Sequence, residues 1–361
     1  MSRSNTPATR SAASRGRRHT AARAVRIVID ADDHPAWTAA ALDAHSPENG
    51  RVTIHPSPGS SAPPAMAQDI LCALGKRLPP RGMDAPRHRA SWADMVGPAW
   101  TAAASWINAH RTGHLIVLRA HTLTPARWEQ LDTLRARTGI HLTLIWHRKP
   151  DTRLTERAAR LSTGCQRTDD FDTARDRLRE KGPAHPGTRP HTDGPDTHAR
   201  GSGHELIQQV QQIGHPLHAG LLAAQLLGHT DQPEQLAAIR LADLAPDATA
   251  LALPRRPYRP TSTRHWHPVP TWAQPLLIAA RAWHYLNGHH HPSRHLFQHT
   301  NFHHHNQLTE TAATLGITPA ITTLTGDPAW PTPLSDPGEG GERPPIVANR
   351  RENVWPSSVS D

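Results

Sequence analysis

The chain has 361 residues, with 40 lysines and arginines against 31 acids and a formal net charge of +9. Its hydrophobic content of 36% is low but clustered, so two domains separated by polar linkers are expected. Two widely spaced cysteines, Cys72 and Cys165, imply no disulfide framework and fit a reducing cytoplasm. No apolar run approaches the ~18 residues a membrane-spanning helix needs, so no membrane association is expected. The first residues include arginines but no apolar segment after them, which argues against a signal peptide. Arginine supplies nearly all the positive charge, because Lys76, Lys149 and Lys181 are the only lysines. Heavy use of Arg, Ala, Pro, His and Thr resembles a high-GC bacterial coding bias. The 28 histidines and 35 prolines therefore carry less meaning than elsewhere.

Residues 1–24 read as a disordered basic arm. Arg15, Arg17 and Arg18 stand among six arginines with no acid and nothing apolar to bury. Such an arm suits phosphate contact through counterion release.

Residues 25–180 read as alternating strands and helices. Val25–Ile29 and Arg51–His55 are strand-like, and 35–44 and 66–78 are helix-like. Residues 92–110 are rich in Ala and Trp and read as helix. His114–Ala120 is a near-continuous apolar strand, as in a parallel sheet buried on both faces. Thr124–Gly139 is a capped helix, and Ile140–Trp146 is another strand. Strand, helix, strand at this spacing predicts a three-layer α/β domain with a parallel sheet. A last α/β element is expected near Phe171–Leu178.

Residues 181–203 carry Gly, Pro, His and Asp and read as a flexible linker. A mainly α domain with a small β-hairpin is expected over 204–326. Leu217, Leu221, Leu222 and Leu226 recur at helical spacing. Leu251 and Leu253 mark a short strand ended by Pro254, and an apolar helix ends near Leu286. After Asp327 periodicity is lost, and 327–361 read as a disordered tail. Loss of pattern there also suits a truncated gene.

Two resemblances follow from these stretches. HLIVLRAHTLTPARWEQLDTLRARTGIHLTLIW resembles the Walker B to sensor region of AAA-type ATPases that assist transposition. That resemblance implies a P-loop-like fold. The family's Asp-Glu pair falls on Leu118-Arg119, and the loop Ser57–Ala62, placed where a P-loop would be, has one glycine and no lysine. Lys76 is too far along the helix to serve. Neither ATP hydrolysis nor a bound cofactor is expected. EQLAAIRLADL (Glu234–Leu244), RHWHPVP (Arg264–Pro270), SRHLFQHT and LTETAATLGITP (Leu308–Pro319) resemble, in order, elements of the tyrosine recombinase (phage integrase) catalytic domain. The family's first catalytic Arg would fall near Gln232, its His-x-x-Arg box after Pro319, and its nucleophilic Tyr further on. None of these is present, and Tyr258 and Tyr285 are the only tyrosines. The chemistry needs those cationic donors and an in-line nucleophile, so strand cleavage is not expected.

These readings converge on a catalytically inactive, DNA-binding accessory or remnant protein of a mobile element, located in the cytoplasm. Its partners would be DNA and another recombination or transposition protein. The candidate phosphate contacts are Arg15, Arg17, Arg18, Arg240, Arg255, Arg256, Arg259 and Arg264. The alternatives are a divergent NTP-binding enzyme and a protein-interaction scaffold. The histidines at 291, 295, 299 and 303 have metal-binding spacing, with His289, His290, His304 and His305 beside them. Pro292 and Asn301 break the helix they would need, so adventitious nickel binding is the expectation and no physiological metal.

Overall fold

The computed structural model describes residues 25–60, 62–79, 91–161, 165–180, 202–228, 233–254 and 264–297, side chains of 202–206, 228, 233 and 234 excepted. Its contacts form two units. One combines Met1–His55 with Gly113–Ala184, and the other combines Pro56–Thr112 with His185–Asp361.

The first unit is a five-stranded parallel sheet in the order β2-β3-β4-β1-β5. Its strands are β1 (Val25–Ile29), β2 (Arg51–Ile54), β3 (His114–Val117), β4 (His141–Trp146) and β5 (Cys165–Thr168). β1, β3 and β4 are interior strands, and their apolar residues are almost wholly buried. That explains their Val-, Ile- and Leu-rich runs, because helices cover both faces. On one face α1 (Pro35–Asp43) and α6 (Phe171–Arg179) pack Trp37, Ala41, Ala174 and Leu178 against Val28, Ile116 and Ile145. On the other face lie α4 (Pro125–Thr138) and α5 (Thr152–Ala159). There Trp128 meets Trp146 edge to face at 6.3 Å, and the Arg157 guanidinium stands 5.8 Å from the Trp146 ring.

Local signals set the ends of these helices. Thr124 caps α4 by accepting from the Arg127 amide at 3.4 Å, Pro125 opens it, and Gly139 closes it at φ 72°. Asp151 and Asp170 cap α5 and α6 by accepting from the amides of Leu154 and Thr173. Inside the sheet, His114 Nε2 lies 2.8 Å from Thr143 Oγ1. Burial pushes the His114 imidazole down to about 3.

The second unit is mainly helical, with α2 (Ala65–Ala73), α3 (Val96–Ala109), α7 (Ser202–Gln211), α8 (Pro216–Gly228), α9 (Pro233–Ala237) and α10 (Gln274–Leu286). It also holds an antiparallel hairpin of β6 (Ala250–Pro254) and β7 (Arg264–Pro268), paired from Ala250↔Pro268 to Pro254↔Arg264. α10 packs against both α3 and α8. The approach to α8 is close because Gly220 has no side chain: a Cβ there would stand 2.6 Å from that of Ala280.

The sequence reading assigned 56–112 to the α/β domain, whereas the structure groups them with the helical unit. The segment 211–214 accounts for this. Trp106 Nε1 donates to the Gly214 carbonyl at 2.6 Å, Lys76 Nζ donates to the Gln211 carbonyl at 2.6 Å, and the Arg77 amide donates to the Gln212 carbonyl at 2.6 Å. The Lys76 ammonium also lies 3.5 Å above the Trp106 ring. The loop Ser57–Ala62 follows β2, as the sequence reading has it. It leaves β2, which is the edge strand of the sheet, and it leads into α2 of the other unit. Ser57 donates there to the carboxylate of Asp69 through both its amide and its hydroxyl, an anionic partner unsuited to phosphate.

Candidate functional site

The helices that follow the neighbouring strands β1 and β4, namely α1 and α5, cover opposite faces of the sheet. This makes the carboxyl ends of those two strands a topological switch point, where open α/β sheets form a crevice. β1 runs into Asp30-Ala31-Asp32-Asp33-His34, and β4 runs into His147. The Asp30 amide still donates to the Trp146 carbonyl at 3.0 Å, so the sheet itself fixes where Asp30 sits.

Asp30 and His147 are both buried, at 2% and 3% exposure. His147 Nδ1 is 2.8 Å from Asp30 Oδ2 and 3.2 Å from Asp33 Oδ1. The second oxygen of each carboxylate is held elsewhere. Asp30 Oδ1 accepts from the His34 amide at 2.9 Å, and Asp33 Oδ2 accepts from Arg119 Nη1 at 3.2 Å. His147 Nε2 is buried with no hydrogen-bond partner. The His121 ring lies 6.5 Å from that of His147, and burial, together with His147 and Arg119, holds its imidazole below the ordinary range.

Two residues at this crevice adopt left-handed backbone: Asp33 at φ 51° and Arg119 at φ 50°. That conformation is costly for a residue with a Cβ and tends to cluster at functional sites. Arg119 neutralises a carboxylate contributed by the loop after β1.

Among the Arg residues proposed from sequence to contact phosphate, two fall in described segments. Arg264 opens β7 and forms an ion pair with Asp243. Arg240 precedes the short 3-10 turn Leu241–Asp243 and donates its amide to the same carboxylate at 2.7 Å. Burial raises the Asp243 carboxyl despite both arginines. The structure therefore brings Arg240 and Arg264 together around one buried acid, and Arg264 serves the fold there. Arg15, Arg17, Arg18, Arg255, Arg256 and Arg259 lie outside the described residues, as do His299, His303, His304, His305, Gln232 and Leu308–Pro319.

α10 ends at Leu286, and His291 and His295 lie outside any helix. His291 Nδ1 bonds Ser293 Oγ at 2.6 Å, while His295 Nδ1 bonds the Ala237 carbonyl at 2.7 Å.

Comparison with known proteins adds no relative. No family model, curated protein or solved structure matches the chain. The site is read from its own geometry.

The sequence reading missed Asp30, Asp33 and His147. The available signal for the two aspartates was the segment Asp30-Ala31-Asp32-Asp33-His34 directly after a β-branched strand, the position where an open α/β sheet places its polar groups.

Proposed function

We propose that the protein is a DNA-binding accessory protein of a mobile genetic element, recombinase-like in its C-terminal half and without strand-cleaving activity. One observation carries this reading. Residues 1–24 hold six arginines and no acid, and residues 255–263 hold three arginines and no acid. These nine cations equal the entire formal excess of +9, so the rest of the chain is balanced. Positive charge concentrated in an arm and a hairpin connection suits backbone phosphate contact, whereas charge spread for solubility would be scattered.

The hairpin strengthens the reading. Pro254 pairs with Arg264, so the connection Arg255–Thr263 joins the paired ends of β6 and β7. Trp266 on β7 is among the exposed large hydrophobic residues, and an aromatic beside arginines suits base or sugar contact. The order of helix, hairpin and α10 follows the recombinase resemblance, which in turn implies another recombination protein as partner.

The loop after β1 weighs against the NTP-binding alternative. A phosphate-cradling loop offers backbone amides and a lysine. This loop offers the carboxylates of Asp30, Asp32 and Asp33.

A gel-shift experiment tests the proposal. The full chain should retard duplex DNA at low salt and release it at high salt. Arg255→Ala, Arg256→Ala and Arg259→Ala together should weaken the shift by at least about tenfold, on the scale of three lost phosphate contacts. Absence of any shift at low salt would end the proposal.

A further inference from the structure

We propose that Asp30, Asp33 and His147 form a binding site for a divalent first-row transition-metal ion, Mn²⁺ or Zn²⁺ in class, at the carboxyl ends of β1 and β4. The inference is independent of DNA binding.

The donor set comes first. Asp30 Oδ2, Asp33 Oδ1 and His147 Nδ1 belong to a group whose ligand atoms all lie within 4.8 Å of one another. Carboxylate oxygen and imidazole nitrogen together select Mn²⁺, Fe²⁺ or Zn²⁺ over the purely oxygen-seeking Mg²⁺ and Ca²⁺. Ligands ~2.1 Å from one ion at right angles stand ~3.0 Å apart. The two distances from Nδ1, 2.8 and 3.2 Å, bracket that separation.

The surroundings orient the donors. In each carboxylate one oxygen is tied back, to the His34 amide or to Arg119, and the other faces the imidazole. This is the arrangement by which outer partners aim metal ligands. Two anionic oxygens converge on one ring nitrogen, which has at most one proton to offer them. A divalent ion in its place satisfies both.

His147 is buried, and its Nδ1 is the ring nitrogen that faces both carboxylates. Asp33 is exposed, so an ion held by three protein ligands would keep open positions on the solvent side for water, beside the Arg119 guanidinium.

The test uses the full chain, stripped with EDTA and titrated with Mn²⁺ while the electron paramagnetic resonance signal of free Mn²⁺ is followed. Mn²⁺ discriminates against the histidines at 289–305, because imidazole-only sites hold it weakly at the low end of the Irving–Williams order. One ion per chain should bind. Asp33→Asn, on an exposed residue and checked for fold by circular dichroism, should weaken binding by at least about tenfold. His147→Gln should do the same. A chain that takes up no Mn²⁺, or an Asp33→Asn variant that binds as the wild type does, would overturn the site and leave Asp30 and His147 as a buried hydrogen-bonded pair only.

Discussion

His147 Nδ1 lies 2.8 Å from Asp30 Oδ2, joining residues 117 positions apart across the neighbouring strands β1 and β4. Both groups are enclosed, so removing either one disturbs a buried hydrogen bond.

That pairing predicts an asymmetry between the two carboxylates. In EDTA, Asp30→Asn should lower unfolding stability by about 1–3 kcal/mol, the cost of disturbing a buried charged hydrogen bond. Asp33→Asn should cost well under 1 kcal/mol, because Asp33 is exposed and its pair with Arg119 is solvent-screened. Urea unfolding of the two variants checks this, and equal stability for both would contradict it.

The contact between α8 and α10 predicts a steric penalty. A Cβ at Gly220 would stand 2.6 Å from the Ala280 Cβ and 3.2 Å from the Leu276 carbonyl. The helices must separate to admit it, so Gly220→Ala should destabilise by about 1–3 kcal/mol. Helix propensity alone would make the same change stabilising by up to about 1 kcal/mol. The sign of the shift in thermal midpoint decides between the two effects.

Four largely desolvated histidines should make the protein acid-sensitive. Burial holds His110 and His114 at about 3 and His218 at about 4, and it holds His215 well below its ordinary value. The unfolded chain takes up these protons as pH falls through about 6.5, while the folded chain refuses them. The contribution of these histidines is therefore complete above pH ~6.5 and declines below it, by up to about 1.4 kcal/mol per pH unit for each histidine. His110, His215 and His218 lie in the helical unit and His114 in the sheet unit, so the helical unit should lose structure at the higher pH. Circular dichroism and tryptophan emission followed from neutral to acid pH would show it. A signal unchanged down to pH ~4.5 would not fit.

Lys76 has its own pH window. Burial lowers its ammonium to about 7, while the unfolded value is 10.5. Between those values the unfolded chain binds the extra proton, so stability rises with pH across that range. Lys76→Met keeps the aliphatic stem and removes the titrating group. The variant should lose this rise, which amounts to at most about 1.4 kcal/mol per pH unit. Thermal melts of both proteins at neutral and alkaline pH supply the comparison.

Much of the sheet was legible in the sequence because its inner strands are buried on both faces. Val25–Ile29, His114–Val117 and Leu142–Trp146 need apolar residues at nearly every position, and Thr124 and Gly139 bracket α4 with standard caps. β5 was not legible. Cys165–Thr168 is a polar edge strand, and its half-exposed residues carry no apolar signature. α5 buries little more than Leu154 and Ala158, so its arginines dominate the pattern. The grouping of 56–112 with the helical unit depends on Trp106 and Lys76 meeting Gly214 and Gln211, and no local pattern encodes contacts at that separation. The same holds for the crevice: Asp30 and Asp33 are marked by their run of acids, but nothing near His147 announces its partners.

The central claim is that the whole positive excess works on nucleic-acid phosphates through the arm and the hairpin connection. The most direct measurement is the dissociation constant of the full chain for a labelled duplex, read by fluorescence anisotropy from about 50 to 200 mM salt. The account predicts that affinity falls steeply with salt, as expected for several neutralised phosphates. It also predicts that a variant lacking residues 1–24 and carrying Arg255→Ala, Arg256→Ala and Arg259→Ala retains little affinity and little salt dependence. An unchanged salt slope in that variant, or no binding by the intact chain at the lowest salt, would contradict it.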